Sequence, residues 1–120
     1  MRKRLLVVED SQLNRELLVQ LLEDRYEIAI ELDGAAAVAA ATSAPPDGIL
    51  MDVDLPMMSG LDAVRAIRGA GIRIPIVAVS SGVMQGDREL ALEAGCDEFV
   101  PKPIDDIALL ELLERLVGDR

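Results

Sequence analysis

GILMDVDLP, residues 48–56, is the most informative stretch for the fold: a short uninterrupted apolar run leads directly into an aspartate, and the stretch ends at a proline. Similar apolar runs occur at 5–8, 28–30, 74–79 and, more weakly, 99–100. Continuous rather than alternating apolar runs are typical of strands that are buried on both faces of a parallel sheet. We therefore predict five parallel strands.

The segments between these runs have the spacing of amphipathic helices. Three apolar stripes are Leu13, Leu17, Leu18, Leu21 and Leu22; Leu61, Val64 and Ile67; and Ile107, Leu110, Leu113 and Val117. Residues 35–41 are rich in alanine, and residues 87–94 are helical by composition and end at Gly95. We expect Ser11 or Asp10 to cap the first helix, Ser59 the third, and Asp105 to lie in the first turn of the last. Strands that alternate with helices indicate an α/β domain, doubly wound, with right-handed crossovers.

Composition excludes several classes of function. A chain of 120 residues predicts one domain over 1–120, and 12 basic against 22 acidic residues give a charge of −10, which disfavours nucleic-acid binding. The absence of histidine excludes Ser-His-Asp triads and imidazole metal sites, and the single Cys96 excludes an internal disulfide. The run at 5–8 is too short for a signal peptide or a membrane span. We expect a cytoplasmic domain without membrane contact.

Reactive side chains follow four of the five predicted strands. They are Glu9-Asp10 after the first, Asp52 and Asp54 at the third, Ser80-Ser81 at the fourth and Lys102 at the fifth. In open α/β sheets, ligands bind beyond the carboxyl ends of the strands. These residues therefore predict a site at one edge of the sheet.

The residue types at this edge favour a hard metal ion and phosphoryl chemistry. If the first and third strands are neighbours, Glu9, Asp10 and Asp52 crowd together and repel unless they share a proton or bind a cation. An all-oxygen set selects Mg²⁺, with Mn²⁺ as a substitute. A carboxylate is also a nucleophile that forms an aspartyl-phosphate, and Asp52 is the best candidate. Lys102 and Ser80 would bind the phosphoryl oxygens.

Four stretches together resemble a known family. They are VVEDSQLNRELL at 7–18, LMDVDLPMMSGLD at 50–62, IVAVSSG at 76–82 and GDRELALEAGCDEFVPKPI at 86–104. Over essentially its whole length the chain resembles the receiver domain of two-component response regulators, including chemotaxis receivers and those of hybrid histidine kinases. The resemblance implies a flavodoxin-like, five-stranded parallel sheet of order 2-1-3-4-5 with five helices.

The resemblance also implies roles for the acidic residues. Asp52 would accept phosphate from a partner's phosphohistidine. Asp10 and Asp52 would be direct ligands of Mg²⁺, Glu9 would act mainly through water, and the main-chain carbonyl of Asp54 would complete the set.

Further roles follow for residues of the fourth and fifth strands. Lys102 would pair with the phosphoryl group, and its bond to Pro103 is cis in similar proteins. Ser80 stands where threonine is commoner and would be the switch hydroxyl. Phe99 stands where tyrosine is commoner, and its rotamer would follow that hydroxyl. Gly82, with Asp54, occupies a position that tunes the lifetime of the phosphoryl group.

The implied partners are a histidine kinase or histidine phosphotransfer protein as donor, and an effector or dimer partner. The partner would bind the face formed by the fourth helix, fifth strand and fifth helix, where Leu109, Leu112 and Leu116 add a second apolar stripe. A receiver is not a turnover enzyme. Two alternatives stay open: a Mg²⁺-dependent phosphohydrolase, suggested by Asp52-Val53-Asp54, and a receiver-like scaffold that takes no phosphate. A flavin carrier is disfavoured because Glu9-Asp10 would repel the flavin phosphate.

Overall fold

Five strands alternate with five helices along the chain in a computed structural model that describes residues 2–81 and 86–118. The elements are β1 Arg4–Val8, α1 Gln12–Leu22, β2 Glu27–Glu31, α2 Gly34–Ser43, β3 Gly48–Asp52, α3 Gly60–Gly69, β4 Ile76–Ser80, α4 Asp87–Ala94, β5 Glu98–Pro101 and α5 Asp106–Leu116. All strand pairs are parallel, and the order is β2-β1-β3-β4-β5. This confirms the predicted fold class and strand order. Gly82 lies outside the described residues.

The sheet separates two apolar clusters, as a doubly wound fold requires. Along β1, Leu6 and Val8 pack into the cluster that contains α2, α3 and α4, whereas Leu5 and Val7 pack into the one that contains α1 and α5. Successive side chains of a strand point to opposite faces, so one apolar run supplies both clusters. Every residue of β3 and β4 is buried, which holds their carboxyl ends firmly.

The strand β2 differs from the prediction of burial on both faces. It pairs with β1 alone and therefore forms an edge of the sheet. Ile30 is 39% exposed, and no residue of β2 is fully buried. The apolar run at 28–30 identified a strand but did not distinguish an edge from the centre.

The predicted core faces of the first and last helices were partly wrong. Leu13 and Leu17 of α1 are 65% and 55% exposed, while Leu18 and Leu22 are buried. In α5, Ile107 is 70% exposed, and Leu113 is the one residue of the predicted stripe that is fully buried. Leu109, assigned to the outer stripe, is also buried. Apolar residues on more than one face leave the helix rotation to be set by the sheet it packs against.

Two of the predicted helix N-caps are confirmed, and a third residue lies one position away from its predicted place. Ser11 caps α1 and Ser59 caps α3, each accepting a hydrogen bond from a main-chain N–H of the first turn. Asp105 is the N-cap of α5, one position before the predicted first turn, and accepts from the N–H of Ala108. None of the helices within residues 2–81 and 86–118 is long and apolar enough to span a membrane.

Candidate functional site

Three acidic residues meet at the carboxyl ends of β1 and β3. Val8 is paired with Met51, so Glu9 and Asp52 leave adjacent strands at the same level. Glu9 is 2% and Asp52 3% exposed, whereas Asp10 is exposed. One carboxylate oxygen from each of the three lies within 4.8 Å of the others. The predicted crowding is therefore present, and the arrangement is open to solvent on the Asp10 side.

Lys102, the residue after β5, brings a positive charge to Glu9 and Asp52. Its Nζ lies 3.2 Å from Oε1 of Glu9 and 3.6 Å from Oδ2 of Asp52. The main-chain N–H of Lys102 donates to the carbonyl of Ser80 at 2.8 Å, and the Lys102–Pro103 peptide is cis, as the resemblance implied. The hydrogen bond to Ser80 holds the main chain of Lys102 beside the end of β4.

Burial and mutual repulsion perturb these charges. Burial raises the pKa of Asp52 to about 6; the N–H of Asp54 opposes this rise, the neighbouring Glu9 adds to it, and Lys102 also opposes it. For Lys102, burial lowers the pKa, but the carboxylates of Asp52 and Glu9 outweigh it and raise the pKa above its ordinary value. The lysine therefore stays charged at neutral pH.

Main-chain and guanidinium donors orient the acidic residues. The N–H of Asp54 donates to Oδ1 of Asp52 at 2.9 Å, and the N–H of Ser11 donates to Oε2 of Glu9 at 3.2 Å. Nη1 of Arg15 donates to the carbonyls of Asp10 at 2.9 Å and Glu9 at 3.3 Å. Sequence reasoning missed this role of Arg15, although its position within 7–18 was part of the family resemblance.

Gly60, the first residue of α3, allows the helix to approach the end of β3. A Cβ at this position would lie 2.2 Å from the carbonyl oxygen of Asp52 and 2.8 Å from Cα of Val53. The N–H of Gly60 donates to the carbonyl of Val53 at 3.1 Å. The loop after Asp52 is therefore closed tightly, with room for no side chain at this glycine.

Ser80 and Phe99 lie together beside the acidic cluster. Ser80 ends β4 and is buried, while Phe99 lies on the neighbouring β5 and is partly buried. Both line a cavity of about 240 Å³, with Asp54 also on its wall. Of the predicted site residues that the structure describes, it brings Glu9, Asp10, Asp52, Asp54, Ser80, Phe99 and Lys102 to one side of the sheet; Gly82 is outside the described part of the chain.

One contact at this edge was not predicted. Oδ2 of Asp54 accepts hydrogen bonds from the N–H of Ser81 at 3.0 Å and from its hydroxyl at 2.8 Å. The two residues are 27 positions apart and follow β3 and β4 respectively. Their closeness depends on the pairing of these strands, which no local sequence signal reports.

Comparison with known proteins identifies the family. A model of the response regulator receiver domain matches residues 5–114. The chain is 34% identical to the polar-differentiation response regulator DivK of Brucella anthropi, with 99% of both chains covered. It is 40% identical to a segment of hybrid signal transduction histidine kinase I of Dictyostelium discoideum, covering 92% of this chain but 7% of that protein. The chain belongs to the response regulator receiver domain family of two-component signalling.

A solved structure agrees with this assignment. The receiver domain of the sensor histidine kinase PA1611 from Pseudomonas aeruginosa PAO1 is 36% identical, with a TM-score of 0.89 over 98% of this chain and 99% of that one. That structure holds a magnesium ion coordinated in its active-site cleft. In the present chain, the clustered oxygens of Glu9, Asp10 and Asp52 are the donor type that Mg²⁺ prefers, so the residues fit such an ion.

Proposed function

We propose that Asp52 accepts a phosphoryl group from a phosphohistidine of a histidine kinase or histidine phosphotransfer protein, and that the modified domain then binds its partner differently. The observation that carries the proposal is the Lys102 ammonium, 3.6 Å from a buried Asp52 carboxylate that shares its cleft with Glu9 and Asp10. Three carboxylates and one ammonium suit a phosphoryl group that arrives together with a cation.

The transfer exchanges one bond to phosphorus for another. An oxygen of Asp52 forms a bond to phosphorus while the phosphorus–nitrogen bond of the donor breaks, and the imidazole leaves with the electron pair and takes up a proton. Lys102 keeps its proton and pairs with a phosphoryl oxygen. The N–H of Asp54 holds Oδ1 of Asp52, which orients the carboxylate before transfer.

The acidic residues would hold Mg²⁺, which neutralises charge on the transferring group when it is bound. We assign Asp10 and Asp52 as direct ligands, Glu9 as a ligand through water and the main-chain carbonyl of Asp54 as the remaining protein ligand. Mn²⁺ would substitute because it accepts the same oxygen donors.

Ser80 and Phe99 would transmit the modification. Both line the cavity of about 240 Å³, so a shift of the Ser80 hydroxyl towards phosphorylated Asp52 leaves space for the Phe99 ring. Phe99 also lines a groove of about 490 Å³ formed with β5 and α5, whose wall includes Leu109 and Leu112. A side chain common to both spaces supports assignment of the α4–β5–α5 face to an effector or a second copy of the domain.

The donor would dock on the opposite side of the cleft, over α1. Leu13 and Leu17 are exposed there, and Leu17 lines a pocket of about 210 Å³ together with Glu9 and Lys102. A protein whose phosphohistidine reaches Asp52 must cover the surface around Lys102. The exposed leucines supply apolar area for that contact.

A receiver explains the site better than a phosphohydrolase. In the alternative, the second aspartate of Asp52-Val53-Asp54 has to act on the leaving group, but the carboxylate of Asp54 already accepts two hydrogen bonds from Ser81. We therefore propose that the domain stores the phosphoryl group rather than turning over a substrate. The single cysteine, Cys96, is unpaired, which fits a reducing compartment such as the cytoplasm. Its thiol is buried, and burial raises its pKa to about 11, so it has little thiolate character at neutral pH.

Intact mass after incubation with acetyl phosphate tests the proposal. We expect the gain of one phosphoryl group that requires Mg²⁺ and is lost with chelator or in Asp52→Asn. Labelling retained in Asp52→Asn would refute the assignment of Asp52. A wild-type domain that neither gains phosphate nor binds beryllofluoride would instead be the non-phosphorylated scaffold.

A further inference from the structure

A chain of hydrogen bonds runs from the Asp52 carboxylate to the residue after Ser80. The N–H of Asp54 donates to Asp52 at 2.9 Å, and the carboxylate of Asp54 accepts from the N–H and the hydroxyl of Ser81 at 3.0 and 2.8 Å. Asp54 and Ser81 are both exposed, so core packing does not account for this contact. The contact links the segments that directly follow Asp52 and Ser80, the two residues that the proposed mechanism connects.

We propose that Asp54 and Ser81 form a positioning pair that holds the end of β4 in its unphosphorylated arrangement and sets how readily Ser80 reaches a phosphoryl group on Asp52. This inference rests on the proposed function and adds to it a residue pair that controls the switch. Neither side chain is assigned to the reacting atoms; the pair acts through Ser80.

The surrounding hydrogen bonds show why this pair can control the position of the end of β4. Up to Ser80, β4 is held by its neighbours: the N–H of Val53 donates to the carbonyl of Val79 at 2.9 Å, and that of Lys102 donates to the carbonyl of Ser80 at 2.8 Å. Ser81 lies beyond these ladder bonds and is tied to Asp54 through both of its donors.

In the proposed switch, the Ser80 hydroxyl moves towards Asp52 together with the adjoining main chain of Ser81. That displacement stretches two hydrogen bonds to a charged acceptor, which are stronger than bonds between neutral groups. A ligand on Asp52 that draws Ser80 inwards therefore works against the Asp54–Ser81 pair, and loss of the pair favours the ligand-bound arrangement.

Beryllofluoride, a phosphoryl mimic, provides the test on the whole domain with Mg²⁺ present. We expect Ser81→Ala to tighten its binding by about three- to tenfold, the equivalent of one hydrogen bond. Asp54→Ala removes a negative charge as well as the contact, so Asp54→Asn, which retains an acceptor oxygen for Ser81, measures the effect of charge alone. The matched control is Ser43→Ala, which removes an exposed hydroxyl at the end of α2.

A double-mutant cycle separates positioning from general loosening of the fold. If the residues act as a pair, the double variant with Asp54→Ala and Ser81→Ala binds beryllofluoride no more tightly than the tighter-binding of the two single variants. The amide resonance of Ser80 should also move towards its ligand-bound position in unliganded Ser81→Ala, while the urea midpoint stays near that of Ser43→Ala.

Three results would overturn the inference. If Ser81→Ala binds beryllofluoride with an affinity within twofold of that of Ser43→Ala, the Ser81 hydroxyl does not have the proposed role. If the effects of Asp54→Ala and Ser81→Ala multiply in the double variant, the two residues are not coupled. A wild-type domain that fails to bind beryllofluoride removes this inference, and one that also gains no phosphate from acetyl phosphate removes the proposed function as well. Normal wild-type binding with an unchanged Ser81→Ala removes this inference alone.

Discussion

The ammonium of Lys102 lies 3.2 Å from the carboxylate of Glu9, although the two residues are 93 positions apart in the chain. Glu9 is almost fully buried, and Asp52, equally buried, is also within 3.6 Å of the same nitrogen. One cation therefore partly compensates two carboxylates that have little access to water. Unfolding measured without metal reports how this arrangement affects stability, and labelling with acetyl phosphate reports how it affects phosphorylation.

Replacement of Lys102 by alanine should destabilise the metal-free domain. Two buried carboxylates would lose their nearest cation, at a cost on the order of 2 kcal/mol at neutral pH. The measurement is urea unfolding in chelator, with exposed Arg73→Ala as a control that removes one positive charge from the surface. Equal stability of the two variants would contradict the assigned role of Lys102. Acetyl phosphate labelling should fall sharply in Lys102→Ala alone.

Replacement of Asp52 by asparagine should stabilise the metal-free domain at neutral pH. The pKa of Asp52 is raised to about 6 from an ordinary 3.8, so the folded state binds the proton more tightly than the unfolded state. Its contribution to stability is full below about pH 4 and is lost as the pH rises through about 6. Asparagine, which carries no charge, avoids that loss, and the gain at pH 7.5 should be roughly 1–3 kcal/mol.

Urea unfolding in chelator at pH 4.5 and pH 7.5 measures this effect. The difference in unfolding free energy between Asp52→Asn and wild type should grow with pH, and taking the difference cancels the titration of groups common to both proteins. A difference that is constant or shrinks with pH would show that Asp52 is not held in its protonated form by the fold. Mg²⁺ should stabilise the wild type and not Asp52→Asn.

Gly60→Ala should be far more disruptive than Gly69→Ala, although both glycines belong to α3. A Cβ at Gly60 would lie 2.2 Å from the carbonyl oxygen of Asp52, whereas nothing lies within 4 Å of a Cβ at Gly69. We expect a loss of about 3 kcal/mol at Gly60 and a change within about 1 kcal/mol at Gly69. Thermal unfolding checks both values. Similar stability of the two variants would mean that α3 does not approach β3 this closely.

Leu17→Glu should impair phosphorylation by a protein donor and leave the small-molecule reaction unchanged. The side chain is exposed on α1 beside the pocket that includes Lys102, so a charge there opposes docking without disturbing the core. Initial rates with a phosphorylated histidine phosphotransfer protein that serves the wild type should drop at least about tenfold, the effect of one buried contact. Leu92→Glu on α4 is the matched control. Equal rates for the two variants would exclude α1 as the docking surface.

The sequence alone was sufficient for much of the fold. The continuous apolar runs identified all five strands, and residues 87–94 coincide with α4. The reactive residues Glu9, Asp52 and Lys102 were recognisable because each stands at the end of such a run. These features are local: a buried strand needs apolar side chains, and the first polar residue after it lies at the edge of the sheet.

The local sequence pattern did not predict which face of a helix packs on the sheet, nor whether a strand lies at the edge or the centre of the sheet. Ile107 and Leu109 both fit an amphipathic pattern, but only Leu109 faces the sheet, and β2 is an edge although its run resembles a central strand. The sequence pattern indicated most of the residues that could be buried, since apolar side chains at helix or strand spacing form the core. Glu9, Asp52 and Ser80 are buried polar exceptions at the site.

Tertiary structure alone decided which groups meet. The contacts of Lys102 with Glu9 and of Asp54 with Ser81 join residues 93 and 27 positions apart. The second depends on the pairing of β3 with β4, and the first on the successive pairings from β1 through β3 and β4 to β5. Register depends on packing across the whole sheet, so a sequence pattern supplies the reactive groups but not their distances.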